Sequence, residues 1–306
     1  MVKVGIIGAQ TPLAGEIIRI LINHPETELV SLYSPYLTGR SVASVHHGLI
    51  GENQLNFTDK INPEEIDLLY VLEDSNISRQ IIETTDNYDN LKIIVLSKQY
   101  SSDLNPDLYT VGLSEYNRKK LVRGARFAYI PSPVVVSSLT VLWPLAKFLL
   151  LNSDINIEVR LPKDLIASIN PETDQKEIEE HLKKCQNSFN GKIKISLLEE
   201  TETSRGMTTR INLKNNLPID EIEKIYDQIY DDHNFTFLSK NDVTTKETEG
   251  TQKMIFKIDK DESDSISINV VSDCRMRGGA GDAVHILNLF FGLHEKTGLH
   301  LKSSYF

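Results

Sequence analysis

The stretch GLSEYNRKKLVRGARFAYIPSPVVVSSLTVLWP, Gly112 to Pro144, decides the fold. It reads as a short polar helix, a buried strand over Arg126–Ile130, a proline-marked turn at Pro131-Ser132-Pro133, and a long apolar helix opening near Val134. A turn between the carboxyl end of a strand and the start of a helix is where an α/β chain places its chemistry. Backbone N–H groups at such a helix start stabilise a thiolate or an anionic ligand. Here the turn holds prolines, valines and serines, with no Cys, His, Asp or Glu. The fold is legible at this point and a reaction is not.

Upstream, strands alternate with helices. Val2–Ile7 is an apolar strand, and Gly8-Ala9-Gln10-Thr11-Pro12 is a turn into a helix over Leu13–Leu21. That order is the context a dinucleotide fingerprint requires: glycines let the backbone approach a pyrophosphate, whose charge meets the helix N-terminus. Gly5 and Gly8 sit well, Thr11 and Ala14 stand where further glycines belong, and Gly15 is displaced. The candidate cofactor contacts are therefore Gly5, Gly8, Gln10, Thr11, Pro12 and Leu13. The competing reading is a tight strand-to-helix turn of any α/β protein. A second strand, Glu28–Tyr33, ends in Ser34-Pro35-Tyr36, with no acidic residue for a ribose 2′-hydroxyl. Ser34 is the candidate there, and Arg40 a further one. His46 and His47 are adjacent, so they point to different sides and make poor co-ligands; no metal is expected. Leu68–Leu72 and Lys92–Leu96 are further strands with a helix over Ile77–Thr84 between them, which predicts a Rossmann-like, doubly wound parallel sheet.

Downstream the period changes. Ile155–Leu161, Lys192–Leu198, Met207–Leu213, Met254–Ile258 and Ser265–Val271 alternate apolar and polar residues, the mark of an antiparallel or mixed sheet with one wet face. Helices over Gln175–Phe189 and Ile219–Asp232 join it. The chain closes on Arg275-Met276-Arg277-Gly278-Gly279-Ala280-Gly281 and an apolar helix to Gly292. Gly279 at that helix start either receives a phosphate or permits close packing.

Composition bounds the rest. A chain of 306 residues buries a large core and is expected to form two domains. A net charge of −10 argues against nucleic-acid binding, which needs a basic surface. Two cysteines provide neither a disulfide framework nor a metal site and suit a reducing cytoplasm. The run VLWPLAKFLLL is too short to span a bilayer, and the opening MVKVGIIGAQ is already strand and turn, so neither membrane nor signal segment is expected.

Three anchors together carry a resemblance. VKVGIIGA with LINHPETELVSLYS and TGRSVASVHHGLIG, then GLSEYNRKKLVRGARF, then RGGAGDAVHILNLFFGLHEKTGL, resemble N-acetyl-γ-glutamyl-phosphate reductases of the aspartate-semialdehyde dehydrogenase superfamily. The likeness spans nearly the whole chain and is weak from Asn152 to Asp273. It implies an α/β fold of two domains: a dinucleotide-binding domain over 1–132, rejoined by 279–306, and a catalytic-type, dimerising domain over 133–278. It also implies a reaction of arginine biosynthesis, the reduction of an acyl phosphate to a semialdehyde with NADP or NAD chemistry. A cysteine attacks the acyl phosphate, a histidine serves as acid and base, and splitting one displacement into two steps makes the thiol central.

Residue by residue, that site does not carry over. Where the family has Asn-Pro-Gly-Cys, this chain has Ile130-Pro131-Ser132-Pro133, so Pro133 holds the nucleophile's position. The histidine segment falls near Asn170–Asp174, which has no His, and the Ser-Arg pair implied for a 2′-phosphate reads Ser34-Pro35. Ser204-Arg205-Gly206 resembles the family's Thr-Arg-Gly, which makes Arg205 a candidate anion contact. Three functions stay open: a catalytically degenerate family member, an active oxidoreductase with a relocated thiol at Cys274, or a subunit partner without nucleotide. Cys185 lies on a polar helix, and Ser137 and Ser138 lack an evident base. A small-molecule ligand and at least a homodimer are expected, with Met207–Leu213 and Ser265–Val271 near an apolar contact.

Overall fold

Strand β1, Val2–Ile7, is followed by α1, Pro12–Leu21, and the junction is held by Thr11, whose Oγ1 accepts from the Ala14 N–H at 3.2 Å. Pro12 stands at the first helical position, where its missing N–H costs nothing. Ala14, Ile17, Ile18 and Leu21 recur at helical spacing and are buried. The computed structural model describes residues 1–84, 88, 90–96, 109–261 and 264–305.

After α1 come β2 (Thr27–Tyr33), β3 (Leu68–Val71), α2 (Asn76–Glu83), β4 (Lys92–Val95), β5 (Thr110–Val111), α3 (Ser114–Val122) and β6 (Phe127–Tyr129). Among the described residues these strands form a six-stranded sheet in the order β2-β1-β3-β4-β6-β5, parallel throughout. The Rossmann-like doubly wound sheet read from the sequence is present. The chain reverses its winding at β1, so the loops after β1 and β3 flank the switch point where such sheets bind ligands. Strand β5 escaped the sequence reading because two residues carry no periodicity.

The next elements are α4 (Pro133–Lys147), β7 (Ile155–Pro162), α5 (Pro171–Cys185), β8 (Ile193–Glu200), β9 (Gly206–Lys214), α6 (Ile219–Tyr230), β10 (Thr236–Leu238), β11 (Met254–Lys260) and β12 (Ser265–Asp273). They build a mixed sheet in the order β10-β11-β12-β9-β7-β8, with β7–β8 and β10–β11 parallel and the inner pairs antiparallel. One face, with Ile157, Ile211, Phe256 and Ile268 buried, packs against the helices. The other shows Arg210, whose Nε donates to Asn269 Oδ1 at 2.9 Å, and Lys257, 3.0 Å from Asp259. The middle of that open face is polar, not the apolar centre expected of it.

Helix α4 is buried nearly all round and carries Pro144 in its interior. Proline has no N–H to bond the carbonyl four residues back, that of Thr140. Tyr230 Oη donates to Thr140 O instead, and Tyr226 Oη donates to Val141 O at 2.6 Å. The aromatic face of α6 thus repairs the helix it packs on. Helix α5 begins earlier than its apolar periodicity indicates, because Asn170 Oδ1 caps it by accepting from Glu172 and Thr173 N–H at 3.1 and 3.3 Å.

The last helix, α7 (Ala280–Phe290), packs beside α1 and α3, and Tyr70 Oη donates to Ala283 O at 3.1 Å. The chain divides into two compact units, Met1–Ile130 with Gly279–His300, and Pro131–Gly278 with the tail from Leu301. The tail was expected with the first unit; Ser303 Oγ donates to Lys246 O, which fastens it to the second. Among the described residues no helix is long and apolar enough to cross a membrane, and no group of three His, Cys, Asp or Glu side chains is placed to hold a metal ion.

Candidate functional site

In the first unit the site is the switch point. Gly8 adopts φ +81°, and a Cβ there would stand 2.9 Å from Glu73 Cβ, so only glycine fits between β1 and the loop after β3. The Ala9, Thr11 and Gly15 N–H groups bond to Tyr33 O, Gly8 O and Thr11 O, and Ala14 N–H is held by Thr11 Oγ1. Among the described residues, the N–H groups of Gln10 and Leu13 are left without a protein acceptor at the start of α1. Gln10 Nε2 donates to Glu73 Oε2 at 2.7 Å, a bridge across the switch point that puts a carboxylate beside the turn. Thr11 and Pro12 serve as cap and first helical residue. Gly5 is inside β1, where a Cβ would meet Ile66 Cδ1 at 2.7 Å.

Gly15 is explained by His46. A Cβ on Gly15 would stand 2.6 Å from His46 Nδ1, and His46 Nε2 lies 2.8 Å from Ala9 O. A carbonyl only accepts, so Nε2 carries the proton and the imidazole clamps the turn. His47 is exposed on the other side. At the end of β2, Ser34 is 1% exposed, and its hydroxyl has no hydrogen-bond partner among the described residues. A buried hydroxyl left so is costly, and one ligand oxygen would satisfy it. Arg40 sits in the exposed loop beyond.

In the second unit the proline turn is built from Ser132 outward. Ser132 caps α4, its Oγ accepting from the Val135 N–H at 3.2 Å, and Pro133 is the first helical residue and buried. Gly278 presses on it: at φ +69° its Cβ would stand 2.5 Å from the Pro133 nitrogen. The close approach thus belongs to Gly278. Gly279 is the N-cap of α7, its carbonyl accepting from Ala283 N–H at 3.0 Å.

Asn170–Asp174, the segment in which the resemblance sets a histidine, is the cap and first turn of α5. Its last residue reaches the turn: Ser132 Oγ donates to Asp174 Oδ2 at 2.6 Å, and Asp174 is 4% exposed. A carboxylate and a hydroxyl are therefore joined beside Pro133. Sequence spacing gives no sign of it, because the partners are 42 residues apart.

The remaining candidates have partners within the protein. Arg205 Nε donates to Asp273 Oδ2 at 2.7 Å, and the fully buried Asp273 also accepts from Gly250 and Arg275 N–H. Its Nε thus answers an internal carboxylate. Cys274 is 3% exposed, and its Sγ donates to Arg205 O at 2.9 Å. Burial first, and the Asp273 charge next, push the thiol up to about 12, so it is protonated at neutral pH. Cys185, at the end of α5, is half-buried, and burial raises its thiol as well. Ser137 Oγ meets Thr209 Oγ1 at 2.9 Å and ties α4 to β9.

Residues 3–123 match the family model for the semialdehyde dehydrogenase NAD-binding domain. The chain is 34% identical to an N-acetyl-γ-glutamyl-phosphate reductase of Parabacteroides distasonis over 327 aligned positions, covering 100% of both chains. It is 30% identical to that of Christiangramia forsetii over 325 positions, again covering 100% of each. In fold it is similar to a probable aspartate-semialdehyde dehydrogenase of Pseudomonas aeruginosa, with TM-score 0.71 at 15% identity over 95% of this chain and 98% of that one. The aspartate-semialdehyde dehydrogenase of Candida albicans, solved with NADP, gives TM-score 0.68 at 13% identity over 95% and 99%. With full-length identity at this level and the same two-sheet fold, the chain belongs to the N-acetyl-γ-glutamyl-phosphate reductase family.

Proposed function

We propose that this chain is a reductase-like member of its family that has lost the reduction of acyl phosphates while keeping the nucleotide-type domain. The observation that carries the proposal is Pro133. It stands at the start of α4, where the resemblance sets the cysteine, and offers neither a nucleophile nor an N–H. Asp174 stands in the segment set for the histidine. A carboxylate cannot donate the proton that an imidazolium would, so neither half of the chemistry has its residue.

A nicotinamide cofactor fits the first unit in part. The free N–H groups of Gln10 and Leu13 would meet its pyrophosphate, and the unpartnered Ser34 hydroxyl its adenosine ribose or 2′-phosphate. When bound, such a cofactor supplies a hydride. The Glu73 carboxylate beside the turn and the lack of an adjacent Arg after Ser34 favour weak binding with little choice between NAD and NADP. A charge-assisted hydrogen bond missing at a 2′-phosphate is worth about 1.5–3 kcal/mol.

The relocated-thiol reading is disfavoured by the protonated, buried Cys274. For assembly, the reading is at least a homodimer paired through the open face of β9 and β12, in a cytoplasmic setting. The test of lost reduction is NADPH oxidation with N-acetyl-γ-glutamyl phosphate, or the reverse reaction with semialdehyde, NADP and phosphate. The expected result is none. Turnover of about 1 per second or more, the low end of ordinary enzymes, overturns the proposal.

A further inference from the structure

The Ser132–Asp174 pair is a reactive arrangement that no part of the reduction uses. The hydroxyl donates to a carboxylate at 2.6 Å, the length of a strong charge-assisted O–H···O⁻ bond. The carboxylate belongs to a residue only 4% exposed, whereas Ser132 is partly open to solvent. The Val135 N–H points at the same oxygen from 3.2 Å, which favours negative charge on it as the proton leaves. A hydroxyl and a carboxylate 42 residues apart in sequence are thus joined at the start of α4 in the arrangement of a nucleophile and its base.

From this geometry we infer that Ser132 is a nucleophile and Asp174 its base, and that the protein hydrolyses acyl phosphates without a nicotinamide cofactor. The substrate class rests on the reading above. Ser132 Oγ attacks the acyl carbon as its proton passes to Asp174 Oδ2. The bond from that carbon to the bridging phosphate oxygen breaks, and phosphate leaves with the proton from Asp174. The product is an ester on Ser132. Asp174 then takes a proton from water, the hydroxide adds to the ester carbon, the bond from that carbon to Ser132 Oγ breaks, and Asp174 returns the proton to Oγ, leaving carboxylic acid and free Ser132. The sum is acyl phosphate plus water giving carboxylate and phosphate, with no oxidant or reductant. Hydride transfer is absent because an oxygen ester resists reduction far more than a thioester does.

The test uses the full chain with acetyl phosphate and no nucleotide, reading phosphate release above the spontaneous rate. Ser132→Gly is the first variant, because glycine still serves as an N-cap at a cost of a few tenths of a kcal/mol, so the helix survives the loss of the hydroxyl. Asp174→Asn is the second, with thermal melting to check its fold. Release is expected to fall roughly a hundredfold or more in both, the usual worth of a general base. A quenched tryptic digest should show acetyl on Ser132 within Phe127–Lys147, in the wild type only. Release by Ser132→Gly equal to the wild type, or acetyl on another residue, overturns the inference. If Asp174→Asn does not fold, Ser132→Gly and the digest decide alone. NADPH oxidation by the same protein would instead overturn the lost-reduction proposal.

Discussion

Native-state alkylation of the two cysteines decides between a lost and a relocated nucleophile. The perturbation is iodoacetamide at pH 7, with each thiol followed in its own tryptic peptide. The thiolate is the reacting species, so the rate scales with its fraction. With its thiol pushed up to about 12, Cys274 is ionised in about one molecule in 10⁵ at pH 7. An unperturbed cysteine near 8.5 is ionised in about three molecules in 100. Folding should therefore slow Cys274 labelling by at least about a thousandfold relative to the urea-unfolded chain, before any effect of access. Its place explains the size. The thiol is buried, donates to Arg205 O, and follows Asp273, whose carboxylate would repel a thiolate. Cys185, half-buried at the end of α5, should label first. Native labelling of Cys274 within about tenfold of its unfolded rate would refute the reasoning, because the thiol would then be ionised and reachable as a nucleophile must be.

Other outcomes follow from single contacts. Tyr230→Phe leaves the buried Thr140 carbonyl without a donor behind Pro144 and should cost about 1–3 kcal/mol in urea unfolding, with the denaturant slope unchanged. His181 is held down to about 4, chiefly by burial, so the unfolded chain binds the extra proton from about pH 6.5 downward. Stability should fall by up to about 3 kcal/mol as pH drops from 6.5 to 4, and His181→Gln should flatten that slope in pH-dependent unfolding. Glu73→Gln removes the carboxylate beside the glycine turn and should tighten nucleotide binding roughly fivefold, about 1 kcal/mol, read by calorimetry at low salt. Arg210→Glu sets a carboxylate opposite Glu158 in the middle of the face assigned to pairing, and light scattering should show monomer; a persistent dimer would move the contact elsewhere.

What the sequence disclosed was set by how local each signal is. Both sheets, and helices such as α1 and α6, are written in periodicity and in adjacent caps, so their order could be read in place. The Gly8 turn and the proline turn were legible for the same reason. The residues that give these turns their chemistry come from far along the chain. Glu73 reaches Gln10 across 63 positions, His46 reaches Ala9 across 37, and Asp174 reaches Ser132 across 42. None has a local pattern that betrays its partner. The Arg205 Nε likewise meets a carboxylate 68 positions away, a partner that its local sequence does not announce.

If the reaction is lost as proposed, the position of the proline explains why the fold remains. Pro133 is the first residue of α4, the one helical place where a missing N–H is unpaired anyway and a fixed φ is already helical. Ser132, at φ −58° and ψ 155°, has the extended conformation that a following proline demands. A step further into the helix, the same substitution would break a hydrogen bond and cost about 3 kcal/mol. The contacts that shape the turn do not involve a thiol: the Ser132 cap, Gly278 against the Pro133 nitrogen, and Asp273 binding Arg205 and the Arg275 N–H. The N–H that proline removes is also one that would face an anion at the helix start. On the proposed reading a single tolerated residue takes away a thiol and an anion donor together, and the Ser132 hydroxyl and the Asp174 carboxylate are the groups joined at the turn.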